Sequence, residues 1–361
     1  EWAGAMNLTE PQAGSVVGAL RTTATPQGDG IFLIKGTKIY ITYGEHDMAE
    51  NIVHLVLARV TGAPEGVKGI SLFVCPKFMV NADGSLGARN DVHCVSIEHK
   101  LGIKASATCV MLYGDDKGEV GPGAIGYLVG QPHNGLMGMF TMMNDARQGV
   151  GLQSLGVSER SYQQAVAYAK ERLQGTRSDG SRYPIIEFPD VRRMLMIMKA
   201  GTEAMRGLAY LAAAESDRSN AASSPEESRK HDLRTGLYTP IVKGWISEFA
   251  QEVTYMGVQV HGGMGFIEET GISQHYRDAR IMTIYEGTTG IQGLDLVGRK
   301  TLADGGAALQ DLLDEIKADA EEMSAVENLA PMAAALKNAV QTGEQARAWL
   351  LENGKQDRNI A

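Results

Sequence analysis

Leu136 to Leu173 carries no proline, and within it Ala165, Val166, Ala169 and Leu173 fall at helical spacing. Everything before that stretch is patterned differently. Ile31-Phe32-Leu33-Ile34, Lys38-Ile39-Tyr40-Ile41-Thr42, residues 51–60 and 70–74, and Cys109 to Tyr113 are short runs rich in β-branched and aromatic residues. Gly28-Asp29-Gly30, Asp83-Gly84 and Gly114-Asp115-Asp116 punctuate them. Closely spaced short strands divided by turn residues predict a small sandwich or barrel. The switch near Gly135 therefore confines the chain to the α+β class: a small β sandwich or barrel followed by an up-and-down α-helical bundle.

Within the helical part, Pro189-Asp190 opens a helix at Val191, with Leu195, Met198, Met205, Leu208 and Leu211 along it. The polar segment Ser216 to Ser228 ends that helix, and Pro225-Glu226-Glu227 begins the next. That one runs toward His261, with a kink expected at Pro240. A last amphipathic stretch, Leu309 to Leu351, is broken around Pro331. At 361 residues the chain is long enough for two domains and a substantial core.

A net charge of −9 argues against nucleic acid or an anionic membrane as the main partner, because phosphate binding needs a basic surface. Cys75, Cys94 and Cys109 lie far apart and form no Cys-x-x-Cys pair, and the histidines are scattered. A reducing, cytoplasmic setting without a metal site is the expectation. No apolar run approaches the roughly 20 residues of a membrane span, and no signal peptide is visible. The chain begins at Glu1-Trp2-Ala3-Gly4 and stops at Asp357-Arg358-Asn359-Ile360-Ala361. It reads as a piece of a longer polypeptide.

Several segments carry candidate chemistry. In Ile284-Tyr285-Glu286-Gly287-Thr288-Thr289-Gly290-Ile291-Gln292 one carboxylate sits between an aromatic residue and a glycine, after an apolar run. A carboxylate in an apolar setting has a raised pKa and can act as a base near neutrality. The glycine leaves its backbone N–H open to a ligand. By itself the segment is more often an exposed turn. The loop Met6 to Ser15 gathers hydroxyls, glycine and proline that could hold a phosphate or a polar ring edge, or form a plain interstrand turn. Tyr40 and Thr42 share a strand face, which suits a flat heterocycle or simply a half-buried strand end. Met137, Met139, Met142 and Met143 crowd one helix and Met194, Met196 and Met198 another; core filling is the default for them, and a pocket for a flexible chain is the sharper reading. Arg147 and Arg172 are helix surface or phosphate ligands. Gln259 to Phe266 is a glycine-rich helix exit. Gly121-Pro122-Gly123-Ala124-Ile125-Gly126 matches a dinucleotide fingerprint only formally, since a strand rather than a helix is expected to follow.

Taken in order, Leu8-Thr9-Glu10-Pro11 with Ala13-Gly14-Ser15, Lys38 to Thr42, Gly262-Gly263 with Gly265-Phe266, Tyr276 to Arg280 and Ile284 to Thr288 resemble the acyl-CoA dehydrogenase flavoprotein family. The resemblance runs from Met6 to about Arg299. Residues 288–300 and the helices beyond are similar to the longer bacterial subgroup that includes 3-methylmercaptopropionyl-CoA dehydrogenases. The family has an N-terminal helical domain, a central β domain and a C-terminal bundle, and this sequence shows the last two. The implied domains are 1–132, the central β domain; 133–300, the bundle with the catalytic base; and 301–361, the start of a truncated helical extension.

The resemblance implies FAD-dependent α,β-dehydrogenation of an acyl-CoA in fatty acid β-oxidation, with 3-methylmercaptopropionyl-CoA as one candidate thioester. Glu286 is then the base and Gly287 the backbone donor to the thioester carbonyl. Met6, Leu8, Thr9, Ser15, Tyr40, Ile41, Thr42, Arg172, Gln259, Gly263, Thr288 and Gly290 would contact the cofactor; Ser15 and Arg147 would join Gly287 on the substrate. On the same resemblance Tyr40 would stack near the flavin and Thr42 would bond its N5. Electron-transfer flavoprotein is the implied electron acceptor and a homodimer or homotetramer the implied assembly, with some cofactor contacts crossing subunits. Val16 stands where the family usually has an acid, Leu173 where it has an aromatic residue, and Ala146 where some members carry the base. An oxidase, a DNA-associated alkylation-response flavoprotein and an inactive remnant are the alternatives.

Overall fold

The computed structural model describes residues 1–354, so the last residues of the expected extension, 355–361, lie outside the described residues. Two compact units divide it, Glu1–Met143 and a second from Asn144 onward. The fold is α+β, as the change of pattern near Gly135 requires.

The first unit holds β1 (Ala3–Asn7), β2 (Thr23–Gly28), β3 (Ile31–Thr42), β4 (Ile52–Val60) and β5 (Ile70–Pro76). These are followed by β6 (Phe78–Val80), β7 (Leu86–Arg89), β8 (Val92–Ile97), β9 (Thr108–Tyr113) and β10 (Ala124–Val129). The main sheet runs β1-β4-β5-β10-β3-β9-β8, and β2 pairs with both β3 and β4. That double pairing closes β4, β5, β10, β3 and β2 into a ring, so of the two expected forms the chain builds a barrel. The two runs read separately at 31–34 and 38–42 are one strand, β3. Its first half pairs with β2 and β10, and its second half with β9. Alternation puts Phe32, Ile34, Ala58 and Phe73 inside, where the Phe32 and Phe73 rings meet edge to face at 5.0 Å. The formal dinucleotide motif ends in strand β10, and no helix starts until Gly135.

A register shift in the β3–β9 pairing falls between Lys38 and Ile41, where two residues face one. This bulge lets Lys38 and Ile41 both point inward although they are an odd number of positions apart. Lys38 is fully buried and Ile41 is buried in the barrel core. Tyr40, between them, takes a left-handed φ of 60° and turns out to solvent.

Lys38 is buried to meet Glu10. Its Nζ lies 2.8 Å from Glu10 Oε1 and 3.1 Å from the Leu8 carbonyl. The same carboxylate accepts Thr22 Oγ1 at 2.6 Å, the Arg21 N–H at 2.6 Å and Gln12 Nε2 at 2.7 Å. Burial works to raise the Glu10 pKa, but the Lys38 charge and these hydrogen bonds override it and hold the group at about 2. Burial likewise draws Lys38 down to about 8 against the pull of Glu10. Glu10 and Ala13 exchange backbone bonds, and the Ile39 N–H donates to the Thr9 carbonyl at 2.9 Å. The Met6–Ser15 loop is thus clasped to β3 through Glu10, whatever stands at position 16.

The second unit opens on α1 (Gly135–Glu171), whose first residues belong to the first unit. A hairpin, β11 (Leu173–Thr176) and β12 (Arg182–Pro184), follows, then α2 (Pro189–Asn220) and α3 (Pro225–His261). Next come α4 (Ile272–Ala279), α5 (Thr289–Leu294) with a π-helical turn at Asp295–Thr301, α6 (Ala307–Ser324) and α7 (Ala330–Asn353). Pro189 and Pro225 occupy first turns, where a missing N–H costs nothing. Ser224 caps α3 by accepting the Glu227 N–H at 3.2 Å. Pro240 lies inside α3 without interrupting it. The break near Pro331 falls just before it, so that Pro331 opens α7. A Cβ on Gly151 would come within 2.5 Å of Val242 on α3, and one on Gly257 within 2.2 Å of Ser161 on α1. Those absences of side chain let α1 and α3 approach closely. Met194, Met198, Met205 and Ile246 fill the core between α2 and α3.

Lys38→Met strands a buried carboxylate and is expected to destabilise the protein by about 3–5 kcal/mol. Combining it with Glu10→Gln should recover most of that loss, as measured by denaturant unfolding. Equal stability of wild type and Lys38→Met would show that the clasp holds nothing.

Candidate active site

Glu286 sits in a short irregular link between the helical turn Arg280–Thr283 and α5, with a left-handed φ of 54°. A side chain in that region costs on the order of 1–3 kcal/mol and persists only where its surroundings over-determine it. The surroundings here are specific. Arg147 Nε on α1 donates to the Glu286 carbonyl at 3.3 Å, and Gln292 Nε2 on α5 to the same oxygen at 3.2 Å. Gln292 Nε2 also reaches the Gly287 carbonyl at 3.2 Å, and Lys243 Nζ on α3 donates to it at 2.5 Å. Arg147, Lys243 and Gln292 are all buried. Asp295, also buried, pairs with Arg147 at 2.9 Å. Gly287 follows with φ 92°, which a side chain would resist, and a Cβ there would lie 2.8 Å from Gln292 Nε2.

Burial raises the Glu286 carboxyl above its ordinary value, and the charges of Arg147 and then Lys243 pull it partly back. Burial also lowers Lys243 to about 8, with Glu286 opposing that shift. Tyr285 is pushed up to about 12 by burial and by the Glu286 charge, and its hydroxyl donates to Gln153. Thr288 caps α5 by accepting the Ile291 N–H at 3.4 Å, and Thr289 Oγ1 donates to Glu248 at 2.5 Å. Gly290 is exposed in the first turn of α5. Glu286, Gly287 and Thr288, in the link that enters α5, therefore form one cluster with Arg147 on α1.

Arg172, Gln259 and Gly263 form a second. They line a groove of about 440 Å³ with Tyr168 and His261, whose rings stack at 4.2 Å. Arg172 follows the last turn of α1, where its N–H donates to the Tyr168 carbonyl at 2.9 Å. At Gly262 and Gly263 nothing lies within 4 Å of where a Cβ would stand, so main chain is bared to the groove.

In the first unit the Thr9 loop and the end of β3 adjoin. Tyr40 and Thr42 are exposed on one face, with Ile41 turned inward between them, so Ile41 could offer a ligand main chain. Met6 and Leu8 pack on a small core around Leu57, Ile70 and Met139, while Ser15 is exposed. Met139, Met194 and Met198 are core residues, and Met137 and Met196 are largely exposed.

The acyl-CoA dehydrogenase middle-domain model matches residues 5–115, and the acyl-CoA dehydrogenase C-terminal-domain model matches residues 133–301. The chain belongs to the acyl-CoA dehydrogenase family. It is 52% identical over 327 residues to 3-methylmercaptopropionyl-CoA dehydrogenase of Ruegeria pomeroyi, covering 90% of this chain and 54% of that protein. It is 31% identical to the caffeyl-CoA reductase-Etf complex subunit CarC of Acetobacterium woodii, covering 81% of this chain and 67% of that one. The structure of acyl-CoA dehydrogenase complexed with FAD from Bacillus anthracis superposes with a TM-score of 0.69 at 26% identity, over 88% of this chain and 51% of that one. This family member thus spans about half the length of the Ruegeria relative.

The roles of Lys243, Gln292 and Asp295 escaped the sequence reading, as did those of Glu10 and Lys38. A signal existed for Lys243: it is a lone cation in the apolar run Ile241-Val242-Lys243-Gly244-Trp245-Ile246. Gln292 and Asp295 had none, since polar residues around a short helix are ordinary.

The raised pKa of Glu286 has a sign that can be tested. Below about pH 4 the carboxyl is protonated folded or unfolded and contributes nothing. As pH rises the unfolded chain ionises first, and the folded chain carries an ion that it holds poorly. Glu286→Gln should therefore be more stable than wild type at pH 7, with the gain shrinking to nothing near pH 4, as read from denaturant midpoints. A variant no more stable at pH 7 would show that burial does not burden this carboxylate.

Proposed function

We propose that this chain carries the base and the flavin-facing strands of an FAD-dependent acyl-CoA dehydrogenase, which converts an acyl-CoA thioester to the trans-2-enoyl-CoA in fatty acid β-oxidation. The observation that carries this is the partly buried Glu286, raised in pKa on a loop gripped by buried donors. The reaction removes an α-hydrogen as a proton and a β-hydrogen as a hydride. No side chain accepts a hydride; bound FAD would supply that acceptor at flavin N5. Glu286 takes the α-proton, for which a carboxylate of raised pKa is the better base. The Gly287 N–H donates to the thioester oxygen as charge develops there, and one such donor is worth roughly 3–4 kcal/mol of barrier. Arg147 serves the substrate side through the Glu286 carbonyl that it holds, and Ser15 from the exposed end of its loop.

The residues present fit the cofactor. Tyr40 offers an exposed ring and Thr42 a hydroxyl on the same strand face, suited to stacking on the isoalloxazine and bonding its N5. Thr9, Met6, Leu8 and Ser15 would line its edge, and Ile41 would offer main chain. A guanidinium opposite bared glycine backbone suits a pyrophosphate, so Arg172, Gln259 and Gly263, with Thr288 and Gly290, complete the set. Their groove is open on the surface of its unit, which supports a homodimer or homotetramer with cofactor contacts shared between subunits. We take 1–132 as the β domain, 133–300 as the bundle with the base and 301–361 as the start of an extension.

Electron-transfer flavoprotein is the proposed electron acceptor, supported by the likeness to a subunit named for an Etf complex. Free Cys75, Cys94 and Cys109 support a cytoplasmic setting; among the described residues no helix is long and apolar enough to cross a membrane. For the thioester we favour 3-methylmercaptopropionyl-CoA on the 52% identity to an enzyme of that name. Met139, Met194 and Met198 add nothing to it, because they are core packing.

Anaerobic addition of acyl-CoAs to the purified flavoprotein should bleach its visible band, most effectively with 3-methylmercaptopropionyl-CoA. Glu286→Gln should keep the flavin and lose turnover by several orders of magnitude. A variant that still turns over at the wild-type rate would move the base elsewhere.

A further inference from the structure

Four hydrogen bonds converge on two consecutive carbonyls, and one side chain supplies two of them. Arg147 reaches the Glu286 carbonyl and Lys243 the Gly287 carbonyl, while Gln292 Nε2 lies 3.2 Å from each. A trans peptide is planar, so its N–H points opposite to its C=O. The Glu286 carbonyl and the Gly287 N–H belong to one peptide. A donor that fixes the first therefore aims the second.

We propose that Gln292 is a positioning residue, whose buried amide locks the Glu286–Gly287 peptide plane and so aims the Gly287 N–H at the thioester oxygen. This rests on the role given to Gly287 above. Gln292 is itself well fixed. It is 2% exposed, and Gly244 on α3 leaves room for its Cβ, which would lie 3.4 Å from any Cβ at that position. The orientation of its amide is dictated, since the flipped form would set an oxygen against two carbonyl oxygens. The amide oxygen has no hydrogen-bond partner among the described residues. A buried acceptor left unsatisfied costs about 1–3 kcal/mol. A residue kept only for stability would be better replaced by an apolar one, so the two carbonyl bonds are the reason for an amide here. Lys243 and Gly244 are neighbours on α3, so one turn of that helix supplies both a clamp on the second carbonyl and the space for Gln292.

The test reads the substrate carbonyl rather than turnover. A short acyl-CoA labelled with ¹³C at the thioester carbon is bound to the FAD-loaded, full-length protein in a Glu286→Gln background, where it survives, and its carbonyl stretch is recorded by infrared difference spectroscopy. With Gln292 present the stretch should move to lower frequency on binding. Gln292→Met should abolish most of that movement while keeping FAD. In the Glu286 background it should lower kcat about 100- to 1000-fold with KM within a few-fold. If Gln292→Met does not retain FAD, Gln292→Asn keeps a buried amide too short to span both carbonyls, and the same loss is expected. A movement present with Gln292 and unchanged in the variants overturns the inference alone. No movement even with Gln292 overturns the role of Gly287 as well.

Discussion

The site depends on where two buried cations place their hydrogen bonds. Arg147 and Lys243 stand close enough to Glu286 to lower its pKa by charge. Yet Lys243 donates a hydrogen bond to the Gly287 carbonyl, and Arg147 donates to both the Glu286 carbonyl and Asp295. Their charge keeps an ion tolerable at Glu286, and their hydrogen bonds hold its strained main chain. Burial remains the larger influence on the carboxyl, and it stays a stronger base than a surface glutamate.

The first unit uses the same parts with the opposite result. Lys38, like Lys243, is fully buried, drawn to about 8, and bonded to a carbonyl of the segment it serves. Its glutamate, however, accepts hydrogen bonds from Lys38, Thr22, Gln12 and the Arg21 main chain, and falls to about 2. Glu10 is thus a fixed anion that shapes a loop, whereas Glu286 is raised toward neutrality. Hydrogen-bond supply separates the two carboxylates here: Glu10 is buried and richly bonded, Glu286 partly buried and held by charge alone.

Much of this was legible in the sequence because periodicity and punctuation act locally. The change of pattern at Gly135, the prolines at 189 and 225 and the run from Ile31 to Ile34 each mark an element that the structure contains. The hairpin at Leu173–Pro184 was not legible: its strands are short and carry no apolar alternation. Pro225 and His261 bound α3 as expected, with Pro240 inside it. At the site, Glu286 and Gly287 could be read from their neighbours in the chain. Lys243 reaches the Gly287 carbonyl and Asp295 reaches Arg147 from distant positions in the chain, and even Gln292, five and six residues on, gives no sign in the sequence of the carbonyls it will meet. The Lys38–Glu10 clasp was hidden by the bulge in β3, which turns a residue of unexpected parity into the barrel.

Burial, tempered by two cations, sets the basicity of Glu286. This is tested most directly by a carboxyl titration, following Glu286 by isotope-edited infrared or ¹³C resonance in wild type and in Lys243→Met. Wild type should show an apparent pKa above the ordinary glutamate value, with a further rise when the Lys243 charge is removed. An ordinary value in wild type, or a fall in Lys243→Met, would contradict that.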